Sequence, residues 1–374
     1  MASLKKLKSL IPMEEIEQSA QQQIYANLEL DFLKILAIMP DVHMGYTLPI
    51  GGVALLDNVI SPEYVGYDIG CGMCCVVTDM HKNELGNMRN KTKIFNDIYN
   101  AVPVGVGVPR ESGIPNDHFK SSSGDKDLNK KVNFKQYVQM GTLGGGNHFI
   151  EIGENRDKNV VVTIHSGSRN IGHSIAQYYM TKSKLEDKDL PNGFFRLDSD
   201  MGKAYKADLD FALNYALFNR MFMMTDVLKV LGFAPSIIEY CLRNMINENH
   251  NHAIVRDDGV LHRKGATPAE KGTLGVIPGT MKSGVYITKG LGNEEYLCSA
   301  SHGAGRKMSR TKAKQKINLK DHKHWMDGIV AKVTKSTIDE SHGAYKNLKT
   351  VIKAQEGIVM DVVDYVKPLI NVKG

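Results

Sequence analysis

The chain has 374 residues, is 42% hydrophobic and 24% charged, and carries a formal net charge of +6. That balance belongs to a globular protein with room for a large core, and no apolar run approaches the ~20 residues that a membrane span needs. Five cysteines, three of them at 71, 74 and 75, do not make an extracellular disulfide framework, so a reducing, cytoplasmic setting is expected; the basic excess permits an anionic partner without demanding one.

The first residues are basic, but Glu14, Glu15 and Glu17 follow, so no secretory leader is expected. Apolar positions Ile16, Ala20, Ile24 and Leu28 recur at helical spacing and predict an amphipathic helix over 13–28. The run 35–39 reads as a buried strand ended by Pro40, with 41–45 as a loop. Strands are also predicted at 51–56 and 75–78, and a helix at 84–100. Between the strands lies VGYDIGCG at 65–72, where glycines crowd one carboxylate, Asp68, and one thiol, Cys71. Carboxylate and thiolate aimed at one point read as metal ligands; the plainer alternative is a tight turn with an inert cysteine.

Residues 111–134 contain little that could be buried and read as a mobile surface segment. The glycine run 141–146 is no P-loop, because no Gly-Lys-Ser/Thr follows it. Its interest is its ending, where Asn147, His148 and Glu151 emerge from backbone that can lie close to a ligand. The β-branched run 160–164 predicts a buried strand that delivers His165, with Ser166, Ser168 and Arg169 as donors for an anion. His173 reads as a capping or packing residue. A long helix is predicted over 201–231, with Met221, Met223 and Met224 as core filler. His250 and His252 would share one face of a strand, one a ligand and one a bystander. The stretch HRKGA at 262–266 reads as a compact basic turn, and 277–281 as a Pro-Gly turn. His302 lies in flexible backbone, HGAGR at 302–306. The basic series after it (Arg306, Lys307, Arg310, Lys312, Lys314, Lys316) is either a solvated helix face or an anion-binding stretch.

Four histidines (148, 165, 250 and 302) in polar or glycine-rich settings, with Asp68 and Cys71 in the same setting, are hard to explain by packing alone. Imidazoles, a thiolate and a carboxylate can hold one or two divalent ions, and ligand type fits Mn, Zn, Fe or Co. Periodicity by itself gives only mixed α and β.

The motifs resemble the RtcB family of RNA ligases. The matching stretches are PDVHMG at 40–45, PIGGVA at 49–54, VGYDIGCG at 65–72, GTLGGGNHFIE at 141–151, HSGSR at 165–169, His250-Asn251, HRKGA at 262–266, PGTM at 278–281, HGAGR at 302–306 and VKG at 372–374, in family order. The resemblance implies one compact α/β domain over 1–374, with mixed sheets, helices outside and metals in a central cleft. It implies a ligase dependent on GTP and Mn(II) that joins RNA ending in 2′,3′-cyclic phosphate or 3′-phosphate to RNA with a 5′-hydroxyl, in RNA splicing or repair. By matching motif, Asp68, Cys71, His148, His165 and His250 would hold two Mn(II) ions with Cys71 bridging, and His302 would be the nucleophile that takes GMP. The nucleotide would be held by Asn147, His148, Phe149, Ile150, Glu151, His250, Asn251, Pro278, Gly279, Thr280, Met281, His302, Gly303, Ala304, Gly305, Tyr345 and Lys373. Charge, rather than motif, assigns RNA phosphates to Arg169, Lys264, Arg306, Lys307 and Arg310. Against the family pattern, Gly70 and Cys74 stand where Asn and Arg are common, Gly145 and Val285 where Ser is frequent, and Met44 where Gln is usual.

Two rival functions use the same residues. One is a metal-dependent phosphodiesterase that opens cyclic phosphates without sealing. The other is an RNA-binding or damage-sensing module with a structural metal. A monomer without a membrane segment is expected, and the sequence leaves open whether an activating protein takes part.

Overall fold

The β-branched run at 160–164 forms the middle of strand Asn159–Ser166, which is buried on both faces from Val160 onward. Such a strand must lie inside a sheet covered on both sides. It does so in a computed structural model that describes residues 3–111, 125–184 and 189–374. Its neighbours are Phe149–Glu154 on one side and Gly72–His81 on the other, both antiparallel. The sheet continues through Met360–Lys373, Val285–Gly290 and Leu274–Pro278 at one edge and Ile246–Asn249 at the other; Val330–Ala331 also pairs with Met360–Lys373, giving eight strands. A second, five-stranded sheet runs in the order Leu7–Ser9, Leu33–His43, Ile50–Leu56, Gly259–Lys264, Asn251–Arg256. The fold is therefore mixed α/β with several sheets, as expected from the family resemblance.

Helices cover the sheets. Gln18–Leu28 buries Ala20, Ile24 and Leu28, the positions that its periodicity singled out. The 31-residue helix Asp200–Val230 is shared between two cores. Its second half places Met223, Met224, Val227 and Leu228 against the large sheet, and its first half packs Tyr205, Leu209 and Ala212 beneath Ile171 and Ile175. No helix among the described residues is long and apolar enough to cross a membrane.

Several local expectations need correction. The strand at 33–43 does not stop at Pro40 but carries Asp41 and His43 within it. Pro40 is tolerated because the pairing with Ile50–Leu56 is irregular between Ile38 and His43, so no ladder hydrogen bond is lost there. The stretch 262–266 is mostly strand rather than a compact basic turn. His262, Arg263 and Lys264 are buried in strand Gly259–Lys264. Arg263 is neutralised by Glu270 at 2.6 Å and donates to the carbonyls of Leu297 and Cys298. His250 and His252 do not share a strand face. His250 is the single residue between Ile246–Asn249 of one sheet and Asn251–Arg256 of the other, whereas His252 lies buried beside Arg263 at 3.3 Å. Of the segment 111–134, residues 112–124 lie outside the described residues; helix Lys126–Gln139 begins within the remainder and buries Leu128 and Val132.

Candidate active site

The bend at 65–72 is built as its glycines suggest. Gly66 and Gly70 take φ values of +90° and +69°, and the Cys71 amide donates to the Asp68 carbonyl at 3.1 Å. This turn presents Asp68 and Cys71 on one side. His250 is pinned to it by its amide, which donates to the Cys71 carbonyl at 2.7 Å. His165 arrives at the end of its strand and His148 at the entry to the neighbouring one.

The four donors and His250 form a connected group. His148 Nε2 is 3.0 Å from Asp68 Oδ2 and 3.5 Å from Cys71 Sγ. Cys71 Sγ is 3.2 Å from His165 Nε2, which is 3.4 Å from His250 Nε2. Ligand atoms of Cys71, His148 and His165 all lie within 4.8 Å of one another. The outer nitrogens are already used: His148 Nδ1 donates to the Leu143 carbonyl at 3.0 Å and His165 Nδ1 to that of Asn147 at 3.2 Å. With Nδ1 engaged outward, both Nε2 atoms face the Asp68–Cys71 turn. Burial pushes His165 and His250 well below the usual histidine range, so they are neutral. Burial would raise Asp68, but His148 and Arg169 outweigh it and draw the carboxyl down to about 2. Neutral imidazoles, an ionised carboxylate and a central thiol are a set that fits divalent cations.

His302 stands at the other end of this group. Its ring is 4.9 Å from that of His250. Its Nδ1 donates to Asp41 Oδ2 at 2.7 Å, and the amides of His302 and Gly303 donate to the same oxygen. Asp41 is fully buried. Burial opposes its ionisation, yet the neighbouring His302 prevails and the carboxyl is lowered from its ordinary value. Gly265 crosses directly against the ring, where a Cβ would come within 3.0 Å of it; only glycine fits that crossing.

A cavity of about 280 Å³ opens beside His302. Its walls include thirteen of the expected nucleotide contacts: Asn147, Phe149, Glu151, the run Pro278 to Met281, the run His302 to Gly305, Tyr345 and Lys373. Ile150 faces away into the core. Asn251 is turned to a bracing role, donating to the Asp68 carbonyl at 3.1 Å and accepting from the Gly265 amide at 2.8 Å. Burial raises Glu151 to about 8, against the pull of Asn371 and Lys373. Among the described residues, Glu151 Oε1 and Asn371 Oδ1 are both buried without a hydrogen-bond partner, so the cavity offers unused polar groups to a ligand.

The expected RNA-binding cations are mostly engaged within the protein. Arg306 bonds Tyr345 and Glu340, and Arg310 bonds Asp339 and Glu340. Lys264 donates to the Glu63 carbonyl at 2.8 Å, and Arg169 sits beneath His148 at 3.3 Å. Lys307 is exposed. Sequence reasoning passed over Asp41, whose signal was its place two residues before His43, and over Glu340 and Asn371, which carry no local pattern. It also passed over Arg220, a buried guanidinium that donates to the carbonyls of Gly70 and Ser166 and to Asn247 and Asn249.

Known proteins are similar to this chain in sequence along most of its length. The profile of the family described as tRNA-splicing ligase RtcB matches residues 23–130 and 114–374. The RNA-splicing ligase RtcB of Escherichia coli (strain K12) is 33% identical over 393 residues, covering 96% of this chain and 95% of that protein. The RNA-splicing ligase RtcB homolog 1 of Entamoeba dispar is 29% identical over 422 residues, covering 90% and 78%. The tRNA-splicing ligase RtcB of Nanoarchaeum equitans is 28% identical over 428 residues, covering 91% and 88%. This chain belongs to the RtcB family.

Proposed function

We propose that this protein is an RNA ligase that uses GTP and Mn(II) to join RNA ending in 3′-phosphate or 2′,3′-cyclic phosphate to RNA with a 5′-hydroxyl. The observation that carries this reading is the position of His302: held by a buried carboxylate, it stands between a cluster of metal-type donors and a cavity with unused polar groups. Family membership supports RNA ligation as the overall reaction.

Asp68, Cys71, His148, His165 and His250 would hold the metal. Bound there, divalent ions supply Lewis-acid polarisation of phosphoryl oxygens and offset their negative charge. The remaining steps fall to the chain. Asp41 accepts a hydrogen bond from the Nδ1–H of His302, so the Nε2 lone pair is free for attack. Nε2 attacks the α-phosphorus of GTP; the N–P bond forms, the bond to the β-phosphate oxygen breaks, and pyrophosphate leaves. An oxygen of the RNA 3′-phosphate then attacks the same phosphorus, and His302 is released as the RNA end becomes a 3′-guanylyl diphosphate. The 5′-hydroxyl oxygen attacks the RNA phosphorus, its proton passes to water, the bond to the GMP oxygen breaks, and GMP leaves. A cyclic phosphate must first take up water to give a 3′-phosphate. Glu151 and Lys373 line the cavity and would meet the guanine edge, and the run Pro278 to Met281 would supply backbone for the nucleotide.

The test is a sealing assay with matched RNA ends, one cyclic phosphate or 3′-phosphate and one 5′-hydroxyl, run across metals and nucleotides. Joined product that needs both GTP and Mn(II) is expected. Opening of the cyclic phosphate without joining under every condition would favour a phosphodiesterase instead.

A further inference from the structure

One flank of the site is aromatic and has no part in the chemistry above. Tyr67, the residue before Asp68, stacks on His173 with ring centroids 5.0 Å apart and planes at 23°. Tyr46 meets Tyr67 edge-on at 5.5 Å, and Lys264 Nζ lies over the Tyr46 ring at 5.6 Å. Tyr46 is 71% exposed, His173 is exposed and Tyr67 half-buried. A single exposed tyrosine needs no explanation, but three rings in mutual contact form a patch.

The row is held in place. The Gly45 amide donates to Gln23 Oε1 at 3.0 Å, and Gln23 Nε2 donates to the Gly45 carbonyl at 2.9 Å, fixing the backbone beside Tyr46. Each part is also tied to the site: Tyr67 precedes Asp68, Lys264 precedes the glycine packed on His302, and Tyr46 follows His43, which lines the cavity. Flat, pre-positioned rings are what unpaired nucleobases bind, because every base has a π-face.

We propose that Tyr46, Tyr67 and His173 form a stacking platform for the unpaired bases next to the phosphate end of the RNA strand, with Lys264 bracing Tyr46. This rests on the ligase reading and narrows its substrates. RNA whose reacting end carries unpaired nucleotides is favoured, and an end fully paired to its terminus is disfavoured.

The test is binding of a fluorescently labelled single-stranded RNA ending in 3′-phosphate, compared with the same RNA made abasic at the two nucleotides nearest that end. Anisotropy is measured with the full chain in Mn(II) without GTP. Wild type should bind the abasic RNA about tenfold or more weakly. Tyr46→Ala/His173→Ala should bind intact RNA weakly and no longer distinguish the two; both rings are exposed, so their truncation leaves the core intact. Tyr46→Phe should discriminate as wild type does. A wild type that binds both RNAs equally, or a double variant that still discriminates fully, overturns the platform. Binding needs no turnover, so a wild type that takes no label from GTP would strike the ligase reading while the anisotropy comparison still decides this one.

Discussion

Asp41 Oδ2 lies 2.7 Å from His302 Nδ1, joining residues 261 positions apart in the chain. The carboxylate is fully buried and accepts two backbone amides from the same loop. Lys346 Nζ in turn donates to the carbonyls of Pro40 and Val42, on either side of Asp41. The imidazole is therefore fixed in tautomer and direction before any nucleotide arrives.

Replacing Asp41 by Asn should leave the fold intact and remove that control. Transfer of GMP from labelled GTP to His302 is expected to slow by up to about 10,000-fold, the scale seen when an orienting carboxylate is lost from a histidine. Single-turnover labelling rates check this. An unchanged rate would show that Asp41 is structural only.

The metal cluster makes a statement about protons. Burial, reinforced by Asp68, pushes the Cys71 thiol well above its ordinary range, so it is protonated in the metal-free protein at neutral pH. His165 and His250 are already neutral there. Addition of Mn(II) should displace about one proton, from Cys71. Calorimetry in buffers of different ionisation enthalpy measures it. Cys71→Ser should bind more weakly and release none.

Glu151 contributes the opposite sense to folding. Its folded-state value of about 8 lies above the ordinary 4.5. The folded protein thus holds a proton that the unfolded chain has lost, and stability from this group falls as pH rises from about 4.5 towards 8. Melting temperature of the nucleotide-free protein should decline more steeply over that window than in Glu151→Gln. Parallel curves for the two would contradict the assignment.

Arg220 ties the Asp68–Cys71 turn to the strand bearing His165. It donates to the Gly70 and Ser166 carbonyls at 2.9 Å each and to Asn249 at 2.7 Å. Arg220→Met strands these buried acceptors and should cost about 3 kcal/mol or more. A fall in the urea midpoint, with weaker Mn(II) binding, is the expected result.

The parts of the site that were legible in the sequence are those carried by short contiguous signals. The glycines around Asp68 and Cys71 announce a bend, and the β-branched run before His165 announces a strand end. What was hidden depended on partners far away in the chain. Arg306 and Arg310 look like free cations until Glu340 and Asp339 meet them. Arg263 looks solvated until Glu270 and two carbonyls enclose it. Pro40 reads as a strand end because its missing amide matters only if a ladder bond is due there, and the pairing irregularity removes that need. The separation of His250 from His252 follows from the passage of one chain between two sheets, which local alternation does not record.

The central claim is that His302 carries the nucleotide. Incubation with GTP and Mn(II), followed by mass spectrometry of peptides kept at alkaline pH, tests it most directly. The account predicts GMP on the His302 peptide, lost in acid and absent from His302→Ala. GMP attached to another residue, or no adduct under any metal and nucleotide, would contradict it.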